Sequence, residues 1–256
     1  MKSSNFSLPA YLERIGFHGT AVADIPILRE MMRCQLFSVP FENLDVQAGK
    51  VVSLVPEEIV EKIVIRKRGG YCYEVNGLFA MALEALGIPY VFVAARPMFY
   101  PVRRPKTHMA VVARVGGISW LCDLGFGSYG IREPMQLDLI DCEIAQDFDV
   151  FRLSKTSEHD YLLQASVDGE WTNQYEFNLS PQEWIDFVPA NYLNSTHPDA
   201  VFVQKLLIVL HDPKGRSILF GNLLKTHEYG MINEITVEKS EIASMLLNKF
   251  GLDYPQ

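Results

Sequence analysis

The chain is poor in the features that mark membrane, secreted and nucleic-acid-binding proteins. No stretch of it approaches the run of about 20 apolar residues that a membrane helix needs. The opening Met-Lys-Ser-Ser-Asn-Phe-Ser lacks the apolar core of a secretory leader, so the cytoplasm is the expected compartment. Positive charge is short: 23 Lys and Arg stand against 31 Asp and Glu, a formal net charge of -8. That excludes a general nucleic-acid binder, which carries a net basic face. Only local basic clusters remain, Arg66-Lys67-Arg68 and Arg103-Arg104-Lys106, either of which can sit on a solvated loop or meet a phosphate. Cysteine is scarce, at positions 34, 72, 122 and 142 only. None forms a Cys-x-x-Cys pair, and no His, Cys, Asp or Glu spacing suggests a metal site. All four are expected to be reduced. There is no internal repeat and no low-complexity linker.

What is present is the balance of a globular protein, 48% hydrophobic and 21% charged over 256 residues. The first 95 residues read as mainly helical. Ile27-Leu28, Met31-Met32 and Gln35-Leu36 recur at helical spacing, and Pro40 stops that segment. Pro56 with Glu57-Glu58 opens the next helix, where proline and acids suit a first turn. Arg68-Gly69-Gly70 breaks it, and a third helix runs from about Cys72 to Leu86, closed by Gly87 and Pro89. The period then changes. Tyr90 to Ala95 is a short strand. His108 to Val115 and Ile118 to Leu124 form a hairpin about Gly116-Gly117. Tyr161 to Val167 and Glu170 to Phe177 flank Asp168-Gly169. Gln204 to His211 and Arg216 to Phe220 flank Asp212-Pro213-Lys214-Gly215. A tail helix is expected over Ser240 to Phe250. Helices followed by antiparallel strands define an α+β protein.

One cysteine stands apart. Cys72 follows Arg68-Gly69-Gly70-Tyr71 and opens a helix. A helix start offers unpaired N–H groups and a partial positive charge, both of which favour a thiolate, the nucleophilic form. Cys34 lies inside an amphipathic helix, Cys122 on a strand, and Cys142 between Asp141 and Glu143. A nucleophilic thiol needs a base, and the base an orienting group. Of six histidines, His108 alone begins a strand of a clear hairpin, and the register there is checkable. If Gly116-Gly117 is a two-residue turn, Val115 faces Ile118, Ala110 faces Asp123, and His108 faces Gly125. Alternation then puts His108 and Asp123 on one face as diagonal neighbours. Their Cβ atoms would lie about 7–8 Å apart, within reach of a side-chain hydrogen bond.

Four segments resemble the motifs of the arylamine N-acetyltransferases. Arg68-Gly69-Gly70-Tyr71-Cys72-Tyr73-Glu74-Val75-Asn76-Gly77 is similar to their cysteine signature, and Pro40-Phe41-Glu42-Asn43-Leu44 to their early loop. Thr107-His108-Met109 and Asp123-Leu124-Gly125-Phe126-Gly127 resemble the histidine and aspartate motifs, in the family order over residues 11 to about 225. The resemblance implies an N-terminal helical bundle (1–95), a central antiparallel β-barrel-like domain (96–200) and a C-terminal α/β lid (201–256). It also implies the core arrangement of cysteine proteases and transglutaminases. Its chemistry is acetyl transfer from acetyl-coenzyme A to an arylamine, arylhydroxylamine or arylhydrazine, with no metal. Cys72 would be the nucleophile, His108 the base and Asp123 the orienting acid. Phe41, Phe126 and Tyr129 would line the acceptor pocket, and Thr107, Gly125, Gly127 and Ser128 would meet coenzyme A. Ser128-Tyr129-Gly130 departs from the family pattern, where a second glycine is more usual after Gly127, so Tyr129 is expected to reshape the acceptor side. The long extra loop of vertebrate members is missing, as in a bacterial-type member. The rival readings are an amide synthase of secondary metabolism, a thiol hydrolase or transglutaminase-like enzyme, and a silent binding protein.

Overall fold

The computed structural model describes residues 1–127 and 129–253, so Ser128 lies outside the described residues. The chain is α+β, as its sequence implies. Its helical part begins with α1 (Leu8–Ile15) and α2 (Ile25–Ser38). The side chain of Asp24 caps α2 by accepting the Ile27 N–H at 2.9 Å, and Pro26 sits in the first turn. The periodic residues Leu28, Met31, Met32, Gln35 and Leu36 are its buried face. A two-residue strand, β1 (Phe41–Glu42), and the short α3 (Leu44–Gln47) follow. Next, α4 (Pro56–Val60) opens on its proline and acids and runs into one π-helical turn, Glu61–Ile65. The central helix α5 (Cys72–Ala85) is buried at all but two of its fourteen positions. A helix apolar on every side belongs inside the molecule, so Cys72 opens the core helix rather than a surface one.

The strands form two antiparallel sheets, the larger packed on that helix. The larger is built from β2 (Tyr90–Pro97), β3 (His108–Val115), β4 (Ile118–Cys122), β5 (Met135–Gln136), β6 (Ile144–Gln146), β7 (Asp149–Lys155), β8 (Asp160–Val167) and β9 (Glu170–Asn178). Its strand order is β5-β4-β3-β2-β9-β8-β7-β6. The β3–β4 hairpin has the register read from sequence, Val115 opposite Ile118 through to Val111 opposite Cys122. Gly116 and Gly117 both have positive φ, 61° and 80°, which the turn demands of both central residues. The β8–β9 hairpin turns on Asp168-Gly169 in the same way, with a register shift at Leu163/Gln164.

After α6 (Val188–Thr196) and α7 (Val201–Gln204), the chain forms β10 (Leu207–Asp212), β11 (Gly215–Phe220), β12 (Leu223–Glu228) and β13 (Met231–Thr236). These join β1 in a five-stranded sheet, order β1-β10-β11-β12-β13. The strand expected from Gln204 starts at Leu207 instead. Asn43 sets that boundary: its Nδ2 donates to the carbonyls of Phe202 and Lys205, and its Oδ1 accepts the Leu207 N–H. The tail helix is also interrupted. A 3₁₀ turn, a single α turn (α8, Ile242–Met245) and a π turn replace one amphipathic helix. This bent tail buries Leu246 and Phe250 against Leu44, Ile208 and Leu219. No helix among the described residues is long and apolar enough to cross a membrane.

Candidate active site

The local fold around Cys72 is made by two glycines that admit no side chain. A Cβ on Gly69 would lie 2.0 Å from the carbonyl oxygen of Pro40, and one on Gly70 would strike Glu74. Their absence lets Gly70 bridge Phe41 in parallel: the Gly70 N–H donates to Pro40 and the Glu42 N–H to Gly70. Charge reinforces the stitch. Arg68 donates to Glu42 at 2.6 and 3.0 Å, and buried Lys62 reaches Glu74 at 2.7 Å and Asp45 at 2.6 Å. The Glu74 carboxylate also accepts the Tyr71 N–H at 3.0 Å, holding the residue before Cys72. Burial, with Glu42 nearby, lifts the Glu74 carboxyl to about 7 against the pull of Lys62. The early loop and the cysteine motif are therefore one structural unit.

His108 and Asp123 meet as the hairpin register requires. His108 Nε2 lies 2.7 Å from Asp123 Oδ2, with both side chains buried. This leaves Nδ1 as the ring's other proton-exchanging atom. The Asp123 carboxyl is held below its usual range: burial raises it, but His108, the Asn76 amide and the Gly125 N–H together outweigh burial. Asn76 was not singled out by sequence, yet it organises the site. The β3–β4 ladder stops at Val111–Cys122. The next rung would pair Met109 with Leu124. Asn76 takes that rung instead, donating to the Met109 carbonyl at 2.7 Å and accepting the Leu124 N–H at 2.8 Å. Its Nδ2 also lies 3.0 Å from Asp123 Oδ1. The residue four positions after Cys72, on the same helix face, thus wedges the strands apart and orients the acid.

The sulfur end completes the site. Gly125 packs on Cys72 so closely that a Cβ would sit 2.5 Å from the Cys72 Cα. The backbone N–H groups of Met109 and Tyr73 near the sulfur favour its charge. Burial is the larger effect, however, and holds the thiol well above its usual range. The helix start alone does not make a resting thiolate; a thiolate here needs a proton acceptor in the same dry space. Cys72 and His108 both line one cavity of ≈ 760 Å³. Phe41, Thr107, Gly125, Phe126 and Tyr129 line it too. Gly127 lies in a neighbouring crevice with Phe41 and Phe126. Cys34 is half-buried, Cys122 is buried in β4, and Cys142 is exposed; all four cysteines are free.

Two aromatic residues with no sequence signal stand out. Tyr175, from β9, packs its ring 5.0 Å from that of His108, and Phe202 stacks against Phe41 at 5.9 Å. Each comes from a segment distant in sequence, so only the folded chain brings them in. Fold and site together are those of an acyltransferase.

A family profile described as N-acetyltransferase matches residues 24–256. An arylamine N-acetyltransferase of Mycolicibacterium smegmatis is 32% identical over 254 residues, covering 96% of this chain and 92% of the relative. An arylamine N-acetyltransferase / N-hydroxyarylamine O-acetyltransferase of Salmonella typhimurium is 29% identical over 252 residues, 96% of this chain and 88% of the relative. Among solved structures, Mycobacterium marinum arylamine N-acetyltransferase in complex with CoA superposes with a TM-score of 0.90 at 30% identity, covering 96% of this chain and 92% of that one. The chain belongs to the arylamine N-acetyltransferase family, on the side of its bacterial members.

Proposed function

We propose that the enzyme moves an acetyl group from acetyl-coenzyme A to the nitrogen of an arylamine, arylhydroxylamine or arylhydrazine through an acetyl-Cys72 intermediate. The carrying observation is the 2.7 Å His108–Asp123 pair, with His108 lining the same cavity as Cys72. His108 takes the thiol proton as sulfur attacks the thioester carbonyl, and the Asp123 carboxylate stabilises the imidazolium. The carbonyl oxygen becomes an oxyanion, for which backbone N–H groups beside Cys72 are the natural donors. Collapse breaks the bond to the coenzyme A sulfur, which leaves with the proton from His108. The amine then attacks the acetyl-thioester, His108 accepts its proton, and the thiol is restored. Thioester exchange keeps the acyl group activated between the two steps, so ping-pong kinetics follow.

Phe41, Phe126 and Tyr129 form the acceptor wall in this reading. Thr107 and the loop Gly125, Gly127 and Ser128 are the coenzyme A contacts, with Ser128 assigned from the family motif alone. The bodies 1–95, 96–200 and 201–256 are the functional divisions we assign, and the cytoplasm the compartment, in keeping with four unpaired cysteines. The test is stopped-flow acylation with a chromogenic acetyl ester, followed by mass spectrometry. One acetyl increment on Cys72, discharged by an arylamine, is the expected result. Cys72→Ala and Cys72→Ser should abolish both burst and transfer, while Cys34→Ala stays near wild type; equal losses in all three would sink the assignment. Discharge by water as fast as by amine would mark a thiol hydrolase instead.

A further inference from the structure

Behind Tyr129, on the far side from the cleft, lies a second cavity of ≈ 130 Å³ that the acyl-transfer reading leaves without a role. Tyr129 and Val167 line both spaces, so they form the partition between them. The floor of the smaller one is two buried arginines. Arg132 is 0% exposed and Arg216 2% exposed. Both guanidiniums converge on a single oxygen, Asp149 Oδ2, at 2.6 and 2.5 Å. The Arg216 guanidinium carbon sits over the Tyr129 ring, 4.4 Å from its centroid.

The charge there does not close. Through their ion pairs, Arg29, Arg33, Arg132 and Arg216 share Glu133, Asp147 and Asp149, four guanidiniums on three carboxylates. At the rim Lys214 and Asp168 offset one another. The network thus carries one positive charge more than it has carboxylates, spread from the cavity out to half-exposed Arg29. The hydrogen bonding does not close either. The Nε atoms of Arg132 and Arg216 are buried and have no partner, and neither has Nδ1 of His211. Buried donors are rarely left unpaired, and here two from arginines coincide at one cavity; His211 Nδ1 beside them is an acceptor, because Nε2 donates to the Gly127 carbonyl. The register explains the grouping: His211 faces Arg216 across β10–β11, and Arg216 faces His227 across β11–β12. Both imidazoles are held neutral by burial and by these arginines, so they add no charge of their own.

We propose that this cavity is a binding site for one small oxyanion, a phosphate or carboxylate group, held by Arg216 and Arg132 with Lys214 at the mouth. Paired guanidiniums suit a planar or tetrahedral oxyanion, and the volume admits such a group. Asp149, which already serves both arginines, fixes their positions rather than filling the cavity. Tyr129 then acts as a hinge-side wall: an anion drawn onto Arg216 bears on the ring that also shapes the cleft. The ligand can be an anionic substituent of either substrate or a free anion; only the choice among these rests on the acyl-transfer reading.

Isothermal titration of the full chain with inorganic phosphate is the direct test. Saturable one-to-one binding is expected in wild type, weakened about tenfold or more in Arg216→Gln and severalfold in Lys214→Gln. Lys214→Gln alters only the rim, so it remains informative if Arg216→Gln fails to fold. Absence of saturable binding to wild type, or equal affinity in wild type and Lys214→Gln with Arg216→Gln folded and unchanged, would overturn the proposal. Two kinetic arms identify the source in Lys214→Gln. A KM rise for acetyl-coenzyme A but not for its 3′-dephospho form supports the site and assigns the cosubstrate phosphate. A KM rise for 4-aminobenzoate but not for its methyl ester supports it and assigns the acceptor carboxylate. Weakened phosphate binding with neither KM changed supports it as a free-anion site. Absence of Cys72 acylation in wild type would fault the acyl-transfer reading while leaving the phosphate titration to judge the site.

Discussion

Asp123 and Asn76 touch the same histidine-bearing corner but do different work, and substitution separates them. Asp123→Asn keeps the shape of the side chain and removes its charge, so the imidazolium loses its counter-ion and its enforced tautomer. Acylation of Cys72 should fall about 10³–10⁴-fold, read by the ester burst at neutral pH. A retained burst would remove Asp123 from the mechanism. Asn76→Ala leaves the Met109 carbonyl and Leu124 N–H unpaired in a site where Asn76 itself is fully buried. It should destabilise the fold by about 2–6 kcal/mol in urea unfolding, at roughly 1–3 kcal/mol for each buried group left unpaired. Its loss of acylation should be the smaller of the two. Asp123 was visible in the sequence because a hairpin turn fixes register, and register fixes faces. Asn76 was not, because its partners are backbone groups of residues more than thirty positions away, and nothing in a side chain's identity announces a missing ladder rung.

The elements differ in how openly the sequence displays them. The β3–β4 and β8–β9 hairpins were legible because their central residues need positive φ, and Gly-Gly and Asp-Gly supply it. The β12–β13 hairpin was missed. Its turn, Tyr229-Gly230, carries a tyrosine with φ of 54°, and every residue of β13 is exposed, so neither turn chemistry nor alternation signals it. The tail was read as one helix because its apolar spacing is helical; it is broken because Leu246 and Phe250 must reach a core set by the sheet. The β10–β12 sheet also carries a pH dependence. The His227 pKa is lowered from 6.5 to about 4 by burial and by Arg216. Between those two values the unfolded chain holds more protons at this site than the folded one. Stability therefore rises with pH across that window, and falls as pH drops through it. His227→Gln should flatten the slope of the urea midpoint between pH 4 and 6.5; an unchanged slope would place the acid sensitivity elsewhere.

At the scale of the molecule, one apolar cluster runs from Tyr11 in α1 to Ile218 in β11 and includes Cys72 itself. Helices and both sheets contribute to it, and the smaller cluster of the C-terminal part also takes in Leu44 of α3, so the parts share core residues. Calorimetric unfolding should show a single transition, with loss of the acylation burst tracking loss of structure. Two resolved transitions would show that the parts melt on their own. The class of fold was legible in the order of helices and strands. The pairing of β1 with β10 was not, because Phe41 and Val209 face each other across most of the chain's length.

That pairing has a consequence for the order of events during synthesis. Cys72, His108 and Asp123 all leave the ribosome before Phe202, Leu207 and Phe220, the residues that close the far wall of the cleft. Chains grow at about 5–20 residues per second and fold as segments emerge. For several seconds the nascent chain thus carries Cys72, His108 and Asp123 without the residues that complete the cavity wall. The last quarter of the chain is therefore what turns an open recess beside Cys72 into a walled cavity.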